Sequence, residues 1–228
     1  MTKRIFPQIK ICGLTTVDAA VQCADLGVHA IGCVFFAKSP RHLSDKMAEK
    51  ICCAVRHRVE TVGVFVNESL DTILQKIRDC RLSAVQLHGT ESADLVQQLR
   101  DAGVPVIKAL FVDGEPNLNA AGDYDPSAFL VECGKGPLPG GNAETWDWGR
   151  VKDFSTRFPC ILAGGLTPDN VVEAIQRAMP SAIDVSSGVE SAPGRKDLKK
   201  VELLLTRVSG IDLSPGKQKG YPIFHSAA

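Results

Sequence analysis

Lys10, Cys12 and Gly13 stand together in the run Gln8-Ile-Lys-Ile-Cys-Gly13. Residues two apart on an extended strand share a face. An ammonium placed that way beside a thiol lowers its pKa and raises its thiolate content. Most cysteines are only small buried residues; the place of Cys12, at the end of an apolar run and before a glycine, argues for the reactive role. Glu132 closes the apolar run Ala128-Phe-Leu-Val-Glu132, which puts it at a strand end rather than on a surface loop. A thiolate and a carboxylic acid facing each other could move two protons on one substrate. The same two-residue spacing pairs Gln86 with His88 and Asp184 with Ser186. If these faces point inward, Lys10, Lys108, Glu132 and Asp184 enter one enclosed space, where charges must be paired or functional. For Lys10 and Asp184 a structural ion-pair layer is an equal alternative. Gly140-Gly141, Gly164-Gly165 and Ser187-Gly188 present backbone N–H groups without bulky cover. Taken alone, Gly140-Gly141 reads as a turn. With the other two loops, Gly141 joins Gly164, Gly165, Ser187 and Gly188 as a phosphate-binding candidate.

The elements that must position these groups recur with a period. Apolar runs rich in Val, Ile and Phe, and free of Pro, begin near residues 8, 30, 62, 84, 106, 128, 160 and 182. Such runs read as buried strands. Helical patterns fill most gaps: Thr15 to Leu26 with a Thr cap and Gly27 as a stop, Asp45 to Arg56, Leu70 to Cys80, Ser92 to Asp101, one opened by Thr167-Pro168, and Lys196 to Val208. The fifth, around Asn117 to Tyr124, is short and carries Gly122. Strand–helix alternation means parallel strands covered by helices, and eight repeats predict a single α/β domain, a closed (β/α)8 TIM barrel, over residues 1–208. The rival open doubly wound sheet lacks its G-x-G-x-x-G signature, and no Walker A motif is present. In a barrel of this kind chemistry sits at the C-terminal strand ends, where the polar residues above collect. Residues 209–228, with Gly, Pro and no periodicity, are expected either to be disordered or to dock through Tyr221, Ile223 and Phe224.

Composition removes several classes of function. The 228 residues are 44% hydrophobic and 23% charged, which excludes a disordered or fibrous chain. Twenty-six basic residues balance 26 acidic ones, so no nucleic-acid or anionic-membrane partner is expected, since both need a basic excess. The longest uncharged apolar stretch, about Leu26 to Ala37, is too short to span a bilayer. Lys10 interrupts any apolar signal-peptide core near the start. Eight cysteines include no C-x-x-C pair and predict reduced thiols in a cytoplasmic protein. Five histidines show no pair at metal-ligand spacing, so no metal site is expected. Oligomeric state is left open.

These residues resemble the phosphoribosylanthranilate isomerase family of tryptophan biosynthesis, from about Gln8 to Val208. The resemblance rests on Lys10-Ile-Cys-Gly13, Lys38-Ser-Pro-Arg41, Gly63-Val-Phe-Val-Asn67, Gln86-Leu-His-Gly89, Ala163-Gly-Gly-Leu166 with Pro168 and Asn170, and Asp184-Val-Ser-Ser-Gly-Val-Glu190. Each motif is weak alone; in this order and at strand ends they are specific together. The resemblance implies an Amadori rearrangement of a small phosphorylated substrate, N-(5-phosphoribosyl)anthranilate, without cofactor or metal. It implies Cys12 as general base and Arg41 as the partner of the anthranilate carboxylate, whose geometry suits a guanidinium fork. Gln86, His88 and Asp184 are the other substrate-binding candidates. The sequence departs from the family at two places. The acid is an Asp in the family and Glu132 here, with a similar reference pKa and one more methylene. The next loop usually reads Gly-Gly-x-Gly and here reads Gly140-Gly-Asn-Ala143. A sugar-phosphate isomerase of shifted substrate and a non-catalytic phosphate-binding relative are the competing expectations.

Overall fold

The computed structural model describes residues 7–134, 145–211 and 222–224. The eight barrel strands are β1 (Gln8–Cys12), β2 (Ala30–Val34), β3 (Glu60–Phe65), β4 (Ala84–Leu87), β5 (Val106–Phe111), β6 (Ala128–Glu132), β7 (Cys160–Leu162) and β8 (Ala182–Val185). They pair in sequence order into a closed parallel barrel. The last pair, β1 with β8, sets Lys10 opposite Asp184. The (β/α)8 expectation holds.

Helices α1 (Val17–Asp25), α2 (Asp45–Val55), α3 (Leu70–Cys80) and α4 (Ala93–Asp101) follow the first four strands. Each starts where local chemistry tells it to. Thr16, Ser44, Ser69 and Ser92 accept hydrogen bonds from the backbone N–H groups of Ala19, Met47, Thr72 and Leu95. Such a cap stabilises by roughly 1 kcal/mol, and an Asp in every first turn complements the helix dipole. The fifth segment keeps a cap, Asn117, but has no acidic residue in its first turn and carries Gly122. The fifth position holds a 3₁₀ turn, Leu118–Asp123, and no α-helix. After β6 come a 3₁₀ turn (Trp148–Val151) and the short α5 (Lys152–Arg157), which no sequence pattern singled out. Thr167-Pro168 does not open a helix: it lies in a turn, and α6 runs Val171–Ala178 from an Asn170 cap. The last helix, α7 (Leu198–Ser209), starts later than expected because Arg195–Lys196 forms β10, antiparallel to β9 (Glu190–Ala192).

Two apolar layers hold the barrel. One lies between strands and helices; it takes Ile9, Ile11, Ile31, Val85, Leu110, Val131 and Ile183 with the helix faces. The other fills the barrel and takes Ala30, Val62, Ala84, Ile107, Ala109, Ala128, Leu130, Ile161 and Ala182. This division fixes the direction of each strand's side chains and corrects one expectation. On β5 Ile107 and Ala109 face the interior, so Lys108 does not. Its ammonium lies in the outer layer, 2.8 Å from Glu91 and 2.7 Å from the Gly89 carbonyl.

Candidate active site

Lys10, Cys12, Gln86, His88, Glu132 and Asp184 alternate with outer-layer residues on β1, β4, β6 and β8, so all turn inward at or near the C-terminal mouth. All six are buried. Lys10 is fully buried, with Nζ 2.8 Å from Asp184 Oδ2. The second oxygen, Asp184 Oδ1, is buried and accepts no hydrogen bond. An unmatched buried acceptor costs on the order of 1–3 kcal/mol, so it marks a place where a ligand donor is wanted.

Cys12 sits one pairing step above this ion pair. It is opposite Gly32, where a Cβ would lie 2.6 Å from the Cys12 sulfur; glycine there makes the room that the thiol occupies. Burial pushes the Cys12 thiol up, and the nearby Lys10 and Lys196 ammonium groups pull it down without fully offsetting burial. The expected pull of Lys10 is present, but the net direction is upward. Lys10 in turn is lowered by burial and raised more strongly by Asp184 and Cys12, so it stays charged.

Across the ring, His88 links two side chains. Its Nδ1 is 2.9 Å from Gln86 Nε2 and its Nε2 is 3.3 Å from Glu132 Oε1. Phe111 packs edge-on against the imidazole at 5.7 Å. Gln86 Oε1 is a second buried acceptor without a partner.

Arg41 is buried and its fork is partly taken: Nε and Nη2 donate to the two oxygens of Glu190 at 2.8 and 2.7 Å. Nη1 takes no part in that pair and is the donor left for another carboxylate. Lys196 from β10 reaches Glu190 Oε1 at 2.7 Å and the Ser186 carbonyl at 3.1 Å. Burial raises the Glu190 carboxyl, but hydrogen bonds from Arg41 and Lys196 hold it below the ordinary carboxylate range. Glu190 and Lys196 were given no role by the sequence reasoning. The Pro193-Gly194 turn dipeptide was the available signal for the hairpin that carries Lys196 inward.

The loops after β7 and β8 lie side by side. Gly164 and Gly165 have φ of +87° and +67°. Asn170 ties this loop, accepting from the Thr167 N–H at 2.8 Å and donating to the Gly165 carbonyl at 2.8 Å. Ser187 and Gly188 open a 3₁₀ turn over Ser187–Val189. A Cβ on Gly188 would lie 1.8 Å from the Leu166 carbonyl oxygen, so glycine permits the two loops to touch. Gly141 and Ala143 lie outside the described residues. Among the described residues no group of three His, Cys, Asp or Glu side chains is placed to hold a metal ion, and no helix is long and apolar enough to cross a membrane.

A family model described as N-(5'-phosphoribosyl)anthranilate (PRA) isomerase matches residues 9–207. The chain belongs to that family. A phosphoribosylanthranilate isomerase of Desulfatibacillum aliphaticivorans is 47% identical over 212 residues, covering 92% of this chain and 97% of the relative. One from Citrifermentans bemidjiense is 40% identical over 206 residues, covering 90% and 98%. Among solved structures, the Thermotoga maritima phosphoribosyl anthranilate isomerase superposes with a TM-score of 0.81 at 35% identity, over 90% of this chain and 99% of that one. A phosphoribosyl anthranilate isomerase in complex with reduced 1-(o-carboxyphenylamino)-1-deoxyribulose 5-phosphate superposes with a TM-score of 0.78 at 34% identity, covering 90% and 99%. The isomerase match runs from the second residue of β1 through β8, so every inward-facing group above belongs to the shared barrel.

Proposed function

We propose that this chain carries out the Amadori rearrangement of N-(5-phosphoribosyl)anthranilate to 1-(2-carboxyphenylamino)-1-deoxyribulose 5-phosphate, with Glu132 as acid and Cys12 as base. One observation carries the assignment of roles. Around the ring the order is β6, β7, β8, β1, so the two glycine loops lie between the strand of Glu132 and the strand of Cys12. A sugar held there by its phosphate has an acid on one side and a thiol on the other.

The chemistry follows from that placement. Glu132 gives its proton to the furanose ring oxygen, the C1–O bond breaks, and the anthranilate nitrogen takes up the positive charge as an iminium. Cys12, as thiolate, removes the proton from C2, and the electron pair flows to the nitrogen to give the enol-amine. Loss of the C2 hydroxyl proton and protonation at C1 complete the ketose. Both transfers are general acid–base steps. Lys10 and Lys196 favour the thiolate electrostatically. Gln86 and His88 suit the acid: with the amide turned so that Oε1 accepts from His88 Nδ1–H, the unmatched oxygen is satisfied. His88 Nε2 is then free to accept from protonated Glu132. Arg41 Nη1 receives the anthranilate carboxylate, Asp184 Oδ1 accepts from a sugar hydroxyl, and Gly141, Gly164, Gly165, Ser187 and Gly188 hold the phosphate. The ligand of the solved relative carries the same three recognition points: a carboxyphenyl group, an open-chain sugar and a phosphate. No nucleic acid or membrane partner enters this scheme, and eight free thiols suit a reducing cytoplasm.

Glu132→Gln is expected to lower kcat by about 10² to 10⁴, while Glu132→Asp keeps or improves it; near-normal turnover in the Gln variant would remove Glu132 from the mechanism. Rescue of a tryptophan auxotroph by the unmodified chain separates this function from a non-catalytic relative. Turnover of aminosugar phosphates that lack the anthranilate group tests the shifted-substrate alternative.

A further inference from the structure

The N-terminal mouth of the barrel, opposite the site just described, is occupied by residues that none of the eight repeats supplies. Gln8, the first residue of β1, shares its inward face with Lys10 and is buried. Its side-chain amide makes three hydrogen bonds to one dipeptide. Oε1 accepts from the N–H groups of Ile223 and Phe224 at 2.7 and 2.9 Å, and Nε2 donates to the Phe224 carbonyl at 2.5 Å. Phe224 is only 3% exposed and clusters with the barrel interior, Ile223 partly buried beside it.

The interior is shaped to need it. Barrels of this type are ordinarily filled by bulky branched side chains. Here the first inward positions of β2, β4, β6 and β8 are Ala30, Ala84, Ala128 and Ala182. Four methyl groups leave space that a phenyl ring fills, and an aromatic side chain buries about 150–250 Å². The polar half of the contact is equally one-sided. Without the dipeptide, Gln8 would bring an amide with two donors and an acceptor into an apolar layer, with the desolvation cost of unmatched groups. The family model ends at residue 207, so Ile223 and Phe224 stand outside the stretch that the family shares.

We propose that this mouth is a peptide-binding site whose ligand is the Ile-Phe pair, supplied by residues 223 and 224 of the same chain, and that the site accepts the same peptide when it is added separately. Recognition has two parts: the Gln8 amide reads the peptide backbone, and the alanine-lined hole reads the aromatic ring. The occupied mouth is the stability face of the barrel, so occupancy changes stability and leaves chemistry alone.

The test uses the full chain. In hydrogen exchange followed by mass spectrometry or NMR, the Ile223 and Phe224 amides are expected to exchange at least about 100-fold more slowly than in a free peptide. Phe224→Ala is expected to lower Tm by on the order of 10 °C, with kcat/KM unchanged within about twofold well below the transition. Adding a synthetic peptide of residues 219–228 to that variant is expected to raise its Tm in a concentration-dependent way, and the same peptide with Ala in place of Phe is not. Should Phe224→Ala fail to fold, Phe224→Leu replaces it in the same titration. Free exchange of the two amides, a Tm that Phe224→Ala does not lower, or a variant Tm that the peptide does not raise would overturn the proposal.

Discussion

The thiol of Cys12 is pulled in two directions, and the balance sets when it can act as a base. Burial holds it protonated, while Lys10 and Lys196 draw it toward thiolate. Of the two lysines, Lys196 is the better probe, because its partner Glu190 keeps Arg41 when it is replaced, whereas removing Lys10 strands the buried Asp184. In Lys196→Met the downward pull weakens, so the fraction of thiolate at a given pH falls. The alkaline-rising limb of kcat/KM is expected to move up by about one pH unit. Alkylation of Cys12 at pH 8, read by peptide mapping because Cys53 is exposed while Cys12 is buried, is expected to slow in step. An unmoved limb with normal alkylation would show that Lys196 acts only through the fold. The same logic explains why the sequence shows only one side of that balance. A lysine two residues away is visible in a sequence; the desolvation that outweighs it depends on the neighbours packed around both.

At the scale of elements, legibility followed how local the determining signal is. Helix α3 was legible to the residue from apolar side chains at helical spacing, and the structure adds the Ser69 cap and Asp71 in its first turn, both of which act within one turn of chain. Strand positions were legible as apolar runs, but the inward face was not always so. In Val106-Ile-Lys-Ala-Leu-Phe111 apolar side chains cover both faces, as expected for a strand buried on both sides, and Lys108 was assigned to the wrong one. The Pro193-Gly194 turn marks the hairpin of Lys196, but the place of that lysine over Ser186 depends on contacts with Glu190, itself held by Arg41, which no local pattern encodes. The two glycine loops were legible as glycines, yet the reason for Gly188 is a carbonyl of a different loop, Leu166. That contact yields a prediction. Gly188→Ala must push the β7 and β8 loops apart, because a Cβ there would meet the oxygen at 1.8 Å. If these loops hold the phosphate, KM is expected to rise on the order of tenfold or more, a change of about 1.4 kcal/mol in binding, with a smaller effect on kcat. A variant with normal KM and weaker inhibition by no phosphorylated analogue would place the phosphate elsewhere.

For the whole molecule, the buried thiols tie stability to pH. Burial raises Cys160 to about 12 from an ordinary value of 9.0, with a Ser155 hydrogen bond only partly opposing it. Burial likewise raises Cys23 to about 11. Both side chains are fully buried in the layer between strands and helices. In the unfolded chain these thiols lose their protons as pH passes about 9; in the native fold they keep them. The unfolded state therefore binds fewer protons above pH 9, and native stability is present in full below that value and falls as pH rises toward 11 to 12. Each such thiol adds up to about 1.4 kcal/mol per pH unit to the slope. Denaturant midpoints measured from pH 8 to pH 11 are expected to drop with increasing steepness. Cys160→Ala removes one titrating group and leaves a small cavity, so its curve is expected to lie lower throughout, to run parallel to the unmodified chain below pH 9 and to fall less steeply above it. A variant whose alkaline limb keeps the original slope would show that Cys160 ionises alike in both states, and that the alkaline loss of the fold has its origin outside this buried layer.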